Sequence, residues 1–342
     1  MNEGEKNMTM KAGVVYAMND LRVSDVEKPV PARDEVLVQV KYCGVCGSDV
    51  GRVYGTSLYH YPTVIGHEFA GVVVQDDAGE LTGKKVAVFP LLPCFECEEC
   101  KRKSYVTCKN YDYYGSRRDG GFAEYIAVKR WNLIVLPDDM DCKLGAMCEP
   151  ISIAKHASDR LEIVGGENVL ITGAGPIGIL IGLWLKKKGV KQVYYTDLDA
   201  RKLALAKEIG FEDYAEADGL AVDCGVEGTG CSAPLETCLN ALKAGGQLVC
   251  LGNPYGDIAL SRNAYWCILR KELTVRGTWN SSYNDIVNDW KASVAAVANG
   301  ELDPAFLISH VYPLSEINAA FEMIKGKKEF YNKVLIDCGV NE

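Results

Sequence analysis

The chain has 342 residues, 48% of them hydrophobic and 24% charged, with a formal net charge of -9. That length holds two domains of about 150 residues each, and the acidic balance argues against nucleic acid or an anionic membrane as partner. No stretch approaches the ~18 consecutive apolar residues of a membrane span, and the polar opening MNEGEKNMTM lacks the apolar core of an export signal, so a cytoplasmic protein is expected.

Residues 1–9 read as a flexible leader, and MKAGVVYA from Met10 as the first strand. VLVQVKY (36–42), FAGVVV (69–74), KVAVFP (85–90) and FAEYIAV (122–128) are short β-rich runs broken by Gly, Pro and Asp, which predicts an all-β, barrel-like domain. After Glu149-Pro150 the character changes. ISIAKHASDRL reads as a helix, and NVLITGAGPIGILIGLWLKKKG as a buried strand, a glycine turn and a helix. VYYTDLD, ARKLALAKEIG, LAVDCGVEG, PLETCLNALKAGG and QLVCLGN then alternate strand and helix, the pattern of a parallel sheet covered on both faces. A helix from about Ile286 through Asn299, the mixed pattern VYPLSEINAAFEMIKGK and a last strand KVLIDC close the chain. The fold class is α/β: a β-barrel domain split into 10–154 and 288–342, with a doubly wound nucleotide-binding domain, 155–287, between the halves. One link is short. In strand order 3-2-1-4 the chain leaving strand 3 crosses about three strand spacings, ~14 Å. FEDYAEADG (211–219) can hold a connection or an edge strand with helix, not both, so a truncated third strand is expected.

Cys94, Cys97, Cys100 and Cys108 are spaced C-x2-C-x2-C-x7-C, the ligand set of a closed, tetrahedral structural zinc in a lobe of about 91–111. A disulfide knot competes, but three of these cysteines stand only three residues apart and nothing signals secretion. Fourteen cysteines without a signal peptide suit a reducing compartment; those outside the metal sets, such as Cys224 and Cys338, read as small core residues.

Gly173, Gly175, Pro176, Ile177 and Gly178 form a glycine fingerprint between strand and helix, for a tight turn, close approach to a pyrophosphate and tight strand–helix packing. Asp197 ends the next strand, 19 residues after Gly178, where a carboxylate takes the ribose hydroxyls and repels a 2′-phosphate, favouring NAD over NADP. Arg201 either lies over the adenine or stands exposed on its helix. Gly252 and the loop from Gly277 to Asn280 follow strands of the sheet, where a nicotinamide would sit.

Cys46, His67 and Glu149 offer sulfur, nitrogen and oxygen for a second, catalytic zinc with one open position. Glu68 is a fourth ligand at rest or a neighbour that moves in and out, and Cys43 is the less favoured alternative. Asp49 is placed to orient the His67 imidazole, and Ser48 to pass a substrate proton outward.

Taken together these motifs resemble the zinc-dependent medium-chain dehydrogenase family, a GroES-like barrel joined to a Rossmann domain, over nearly the whole chain from Met10. Glu149, where alcohol dehydrogenases of the family carry a cysteine, is similar to the polyol branch. PLLPCFECEEC, YYGSRRDGGFAEYIAVKR and ILRKELTVRGTW resemble its polyol phosphate members. The resemblance implies an enzyme with one catalytic and one structural zinc per subunit, oxidising a secondary alcohol of a polyol phosphate to a ketose phosphate with NAD. It also implies a homodimer or homotetramer.

A phosphate needs an anchor. Residues 101–130 carry eight basic side chains against three acidic ones, a local +5 in an acidic protein. Arg117 and Arg118 are the first choices, because guanidinium groups grip phosphate oxygens in pairs; Tyr59 and His60 come second, and Trp279 and Asn280 would contact substrate hydroxyls. The alternatives are a dehydrogenase of a free polyol, for which that charge is incidental, and a non-catalytic zinc- and NAD-binding regulatory protein.

Overall fold

The computed structural model of the protein describes residues 8–339. The chain divides into two compact units, one carrying it up to Glu149 and again from Tyr283, the other Pro150–Ser282. The first division falls inside the helix Cys148–Asp159, as does the boundary expected after 154.

In the first unit, Thr9–Ala17 pairs antiparallel with Asp20–Glu27 across a turn whose Asn19 has φ 65°, a left-handed value that asparagine tolerates. Thr9 lies opposite Glu27 and the Met8 carbonyl accepts from Lys28 N at 2.8 Å. The leader expected over 1–9 is therefore too long at its end, because the hairpin ladder already binds residues 8 and 9; residues 1–7 lie outside the described residues. A larger sheet runs in the order Leu133–Val135, Lys85–Val88, Glu68–Gln75, Glu35–Gly44, Lys333–Asp337, Ile308–Pro313, with Tyr125–Lys129 also on Glu35–Gly44. Alternate inward residues such as Val36, Val38 and Val40 pack with Phe69, Phe122, Phe321 and Ile336 into the main core. This topology brings the last strand of the chain against the strand that leads to Cys46: Leu335, Ile336 and Asp337 face Gly44, Cys43 and Tyr42.

The second unit holds a parallel sheet in the order Glu212–Asp213, Gln192–Thr196, Asn168–Thr172, Val222–Glu227, Leu242–Cys250, Thr274–Gly277. Val169, Leu170 and Ile171 are wholly buried, as a strand covered on both faces must be. The third strand is cut to Glu212–Asp213, and one 3-10 turn, Tyr214–Glu216, leads on toward Val222, as the short 211–219 link requires. Two elements differ from expectation. LKAGG, read as the end of a helix, belongs to the strand Leu242–Cys250. Its register jumps from Val222↔Leu242 to Cys224↔Gln247, and Gly245 at φ 73° absorbs the extra residues. The helix expected from Ile286 starts at Asp289, because the Asn284 side chain accepts from Ile286 N and Val287 N and holds them in a turn. Among the described residues no helix is long and apolar enough to cross a membrane.

Glycine at 178 is a packing requirement. A Cβ there would stand 2.0 Å from the Gly173 carbonyl oxygen, whereas one at Gly175 would meet nothing within 4 Å. Gly178→Ala is expected to lose about 1–3 kcal/mol to overpacking, and Gly175→Ala to change stability little; thermal unfolding of the two variants side by side checks this.

Candidate active site

The cysteine lobe is set off by a small ladder, Leu91–Leu92 against Asp112–Tyr113. Within it Cys94 Sγ lies 3.5 Å from Cys108 Sγ and 3.9 Å from Cys100 Sγ, and Cys97 Sγ lies 3.9 Å from Cys108 Sγ. Zn–S bonds of about 2.3 Å in a tetrahedron place sulfurs about 3.8 Å apart. The four thiols, none in a disulfide, thus fit a zinc ion and not a knot. Backbone N–H groups of Glu96 and Cys97 pull the Cys94 thiol down to about 6, as a thiolate ligand needs.

The second group is Cys46, His67 and Glu68, whose ligand atoms all lie within 4.8 Å of one another. Cys46 caps the helix Gly47–Tyr54, where Asp49 Oδ2 accepts from Cys46 N at 3.0 Å. Asp49 Oδ1 lies 3.4 Å from His67 Nδ1, so that nitrogen is turned to a carboxylate and Nε2 is left for a metal. Burial opposes the charge on Asp49, but His67, Arg52 and the Cys46 amide outweigh it and bring the carboxyl down to about 2. The expectation ranked Glu149 above Glu68. The structure puts Glu68 in the close group and Glu149 outside it, buried and under the influence of the same charges. Burial pushes the Glu149 carboxyl up to about 7; His67 and Lys333 oppose the rise, and Glu68 and Asp49 add to it.

Two participants were not foreseen. Lys333 Nζ donates to Glu68 Oε1 at 2.8 Å and Oε2 at 2.6 Å, with both side chains inside the barrel. Arg52 Nη1 donates to Asp49 Oδ1 at 2.6 Å and Ser48 Oγ at 3.1 Å. Arg52 follows Ser48 by four residues on one helix, a signal the sequence did hold. Cys43 is buried outside the group, with burial pushing its thiol up.

Of the residues expected to contact substrate, the structure separates Arg117 from Arg118. The Arg117 guanidinium lies 4.4 Å from the Tyr59 ring centre and 4.3 Å from that of Tyr111, and its Nε has no hydrogen-bond partner. His60 Nε2 lies 3.0 Å from the Arg117 carbonyl and fixes its loop. Arg118 is committed to Asp112 at 3.1 Å and to the Tyr114 face. Rings link Arg117 to the metal group: Tyr111 is 6.3 Å from Tyr113, and Tyr113 is 5.8 Å from His67.

In the second unit Gly173 has φ 97° and opens the turn into the helix Pro176–Lys187, which Gly175 caps with Ile177 in its first turn. The Asp197 carboxylate accepts from Ala174 N and Asp199 N, both at 2.8 Å, at the carboxyl end of Gln192–Thr196. Arg201 is held in two hydrogen bonds by Asp199, at 2.9 and 2.7 Å. Gly252 follows Leu242–Cys250 where a Cβ would fall 1.9 Å from Gly230 N; Trp279, half exposed, and Asn280, at φ 55°, follow Thr274–Gly277.

A GroES-like barrel, a Rossmann sheet and two metal-ligand groups define a zinc-dependent dehydrogenase of the medium-chain type. Family models agree: residues 32–138 match the alcohol dehydrogenase GroES-like domain, and residues 176–299 the zinc-binding dehydrogenase domain. Galactitol 1-phosphate 5-dehydrogenase of Escherichia coli K12 is 36% identical over 88% of this chain and 92% of its own. The crystal structure of galactitol-1-phosphate dehydrogenase from Escherichia coli is similar with a TM-score of 0.89 at 34% identity, over 96% of this chain and all of that one. L-threonine 3-dehydrogenase of Shewanella loihica is 29% identical over 88% of this chain and 92% of its own. A zinc-binding dehydrogenase from Sinorhizobium meliloti, bound to NADP, is similar with a TM-score of 0.88 at 28% identity, over 96% and 99% of the two chains. The chain belongs to the zinc-dependent medium-chain dehydrogenase family and is an oxidoreductase. Zinc and a nicotinamide dinucleotide are the cofactors its residues fit.

Lys333→Met is expected to cost about 3–5 kcal/mol by stranding the buried Glu68 charge. Adding Glu68→Leu should recover most of that loss, because the unpaired charge goes with it. Urea unfolding of the single and double variants decides: equal destabilisation in both would refute the ion pair as the cause.

Proposed function

We propose that the protein oxidises the C5 hydroxyl of galactitol 1-phosphate, giving tagatose 6-phosphate, with NAD as hydride acceptor. The observation that carries the phosphorylated substrate is Arg117. Its guanidinium lies against the rings of Tyr59 and Tyr111, with Nη2 donating to the Tyr59 hydroxyl at 3.3 Å and no carboxylate among the described residues paired with it, a cation suited to an anion on a ring path that leads to His67. The 36% identity to an enzyme of that name supports the same reading.

Zinc held by Cys46 and His67 with Glu68 or Glu149 supplies a Lewis acid for the substrate hydroxyl, and NAD supplies the acceptor. Ser48 Oγ takes the hydroxyl proton and passes it outward. Asp49 keeps the proton on His67 Nδ1 and so the ring in orientation. Arg117 binds the phosphate, with Tyr59 and His60 holding it in place; Arg118 serves Asp112 instead. Gly173, Gly175, Pro176, Ile177, Gly178 and Gly252 admit the dinucleotide, and Arg201 borders the adenine. Asp197 and Asp199 set two carboxylates at the strand end, which disfavours a 2′-phosphate and selects NAD. The active form is a homodimer or homotetramer, and a reducing cytoplasm suits cysteines that serve as ligands and core residues.

NADH formation with galactitol 1-phosphate, galactitol, sorbitol, sorbitol 6-phosphate and L-threonine is the test. Galactitol 1-phosphate should lead, and Arg117→Met should lower its kcat/KM by on the order of 10–100-fold, the loss expected of charge-assisted hydrogen bonds. Free galactitol should be left unaffected by that substitution. Equal turnover of free polyols, or preference for L-threonine, would sink the substrate assignment and leave the zinc–NAD chemistry standing.

A further inference from the structure

Arg52 is a largely buried cation beside the candidate metal ligands, its side chain 12% exposed, and the chemistry above does not use it. Its hydrogen bonds run through one nitrogen. Nη1 donates to Asp49 Oδ1 at 2.6 Å and to Ser48 Oγ at 3.1 Å, and lies 3.3 Å from His67 Nδ1. The helix Gly47–Tyr54 makes this convergence possible, since positions three and four apart share a face. The Asp49 carboxylate spans both sides of the site, with Oδ2 on the Cys46 amide and Oδ1 beside His67.

We propose that Arg52 is a positioning residue of the catalytic metal site, whose single nitrogen ties the Asp49–His67 pair to the Ser48 hydroxyl, so that metal retention and Ser48 orientation depend on a cation at that point. This rests on the zinc-dependent reading of Cys46, His67 and Glu68, and on no particular substrate.

Asp49 is wholly buried, and a buried carboxylate without a cation is costly. His67 answers only part of that charge, because a metal-ligating imidazole is neutral. Arg52 supplies the rest from the side away from Cys46. A guanidinium has only donors. Its bond to Ser48 therefore fills one lone pair of the hydroxyl and leaves the Ser48 proton and the other lone pair for the substrate. Hydrogen-bond partners behind a metal-ligating histidine are worth about 10–100-fold in metal affinity, and Arg52 acts one layer further out through Asp49. Arginine and lysine are not interchangeable where a planar fork grips two atoms. Here one nitrogen makes every approach, so a lysine ammonium can serve in its place.

The experiment is metal release to a chelator from the zinc-loaded protein and its Arg52→Met, Arg52→Gln and Arg52→Lys variants, with visible spectra of the cobalt(II)-substituted forms. The four-cysteine zinc shares no residue with Arg52 and serves as internal control. Expected are a loss of about 10–100-fold in affinity for the second metal in Arg52→Met and Arg52→Gln, a changed cobalt spectrum, an unmoved control metal, and near wild-type behaviour for Arg52→Lys. Wild-type affinity and spectrum in Arg52→Gln would overturn the proposal, since donors without charge would then suffice. A loss in Arg52→Lys as deep as that in Arg52→Met would overturn it too. If Arg52→Met loses both metals by unfolding, the glutamine and lysine variants decide. A wild-type protein that binds only the control metal would refute the zinc-dependent reading itself, a result distinct from two metals held equally well by every variant.

Discussion

The buried ion pair between Lys333 and Glu68 is the constraint on which the metal site turns. At 5% and 2% side-chain exposure, neither charge can be answered by water, so each fixes the other. Lys333 opens the last strand of the chain, and that strand lies beside the one that runs into Cys46. Glu68 opens its own strand on the other side of that same strand, directly after His67. One interaction thereby fastens the terminal strand, the His67–Glu68 corner and the entry to Cys46 to one another. Asp49, Glu68 and Glu149 are three buried carboxyls; Lys333 engages Glu68, and the largely buried Arg52 engages Asp49. Burial pushes the Glu149 carboxyl up to about 7 against the pull of His67 and Lys333. A divalent cation held by Cys46, His67 and a carboxylate would add positive charge to this cluster, the electrostatic counterpart of the donor set.

The parts of this site that could be read in the sequence are those whose partners are neighbours in the chain. Cys94, Cys97, Cys100 and Cys108 meet because a lobe of some twenty residues can bring them together only in a few ways. Gly173 through Gly178 lie on one turn, and the truncated strand at Glu212–Asp213 followed from counting residues against a distance. Lys333 stands 265 residues from Glu68, and no local pattern marks a lysine that will be buried. That Glu68 stands with Cys46 and His67 in the close group could not be read for the same reason: it depends on where Lys333 holds one carboxylate, which motif spacing does not encode. In the second unit, Gly245-Gly246 signals a turn with equal force whether a helix is ending or a strand is bulging, and only pairing with Val222–Glu227 distinguishes the two.

Arg117 and Arg118 are neighbours in the chain with different partners. The Arg117 guanidinium lies on the rings of Tyr59 and Tyr111, whereas Arg118 pairs with Asp112 and lies over the Tyr114 ring. The strand Asp112–Tyr113 is also the neck of the cysteine lobe, paired to Leu91–Leu92, with Cys94 and Cys108 just inside it. Outside the neck, Phe95 and Tyr105 of the lobe pack edge to face on Trp131 at 5.0 and 5.5 Å, and Lys103 pairs with Asp285. A closed zinc site has no position open for a substrate. A zinc held there would act mechanically, by fixing the neck strand whose Tyr113 lies against His67 and next to which Tyr111 packs on Arg117. A metal that never meets the substrate would thereby steady the spacing between Arg117 and the Cys46–His67–Glu68 group.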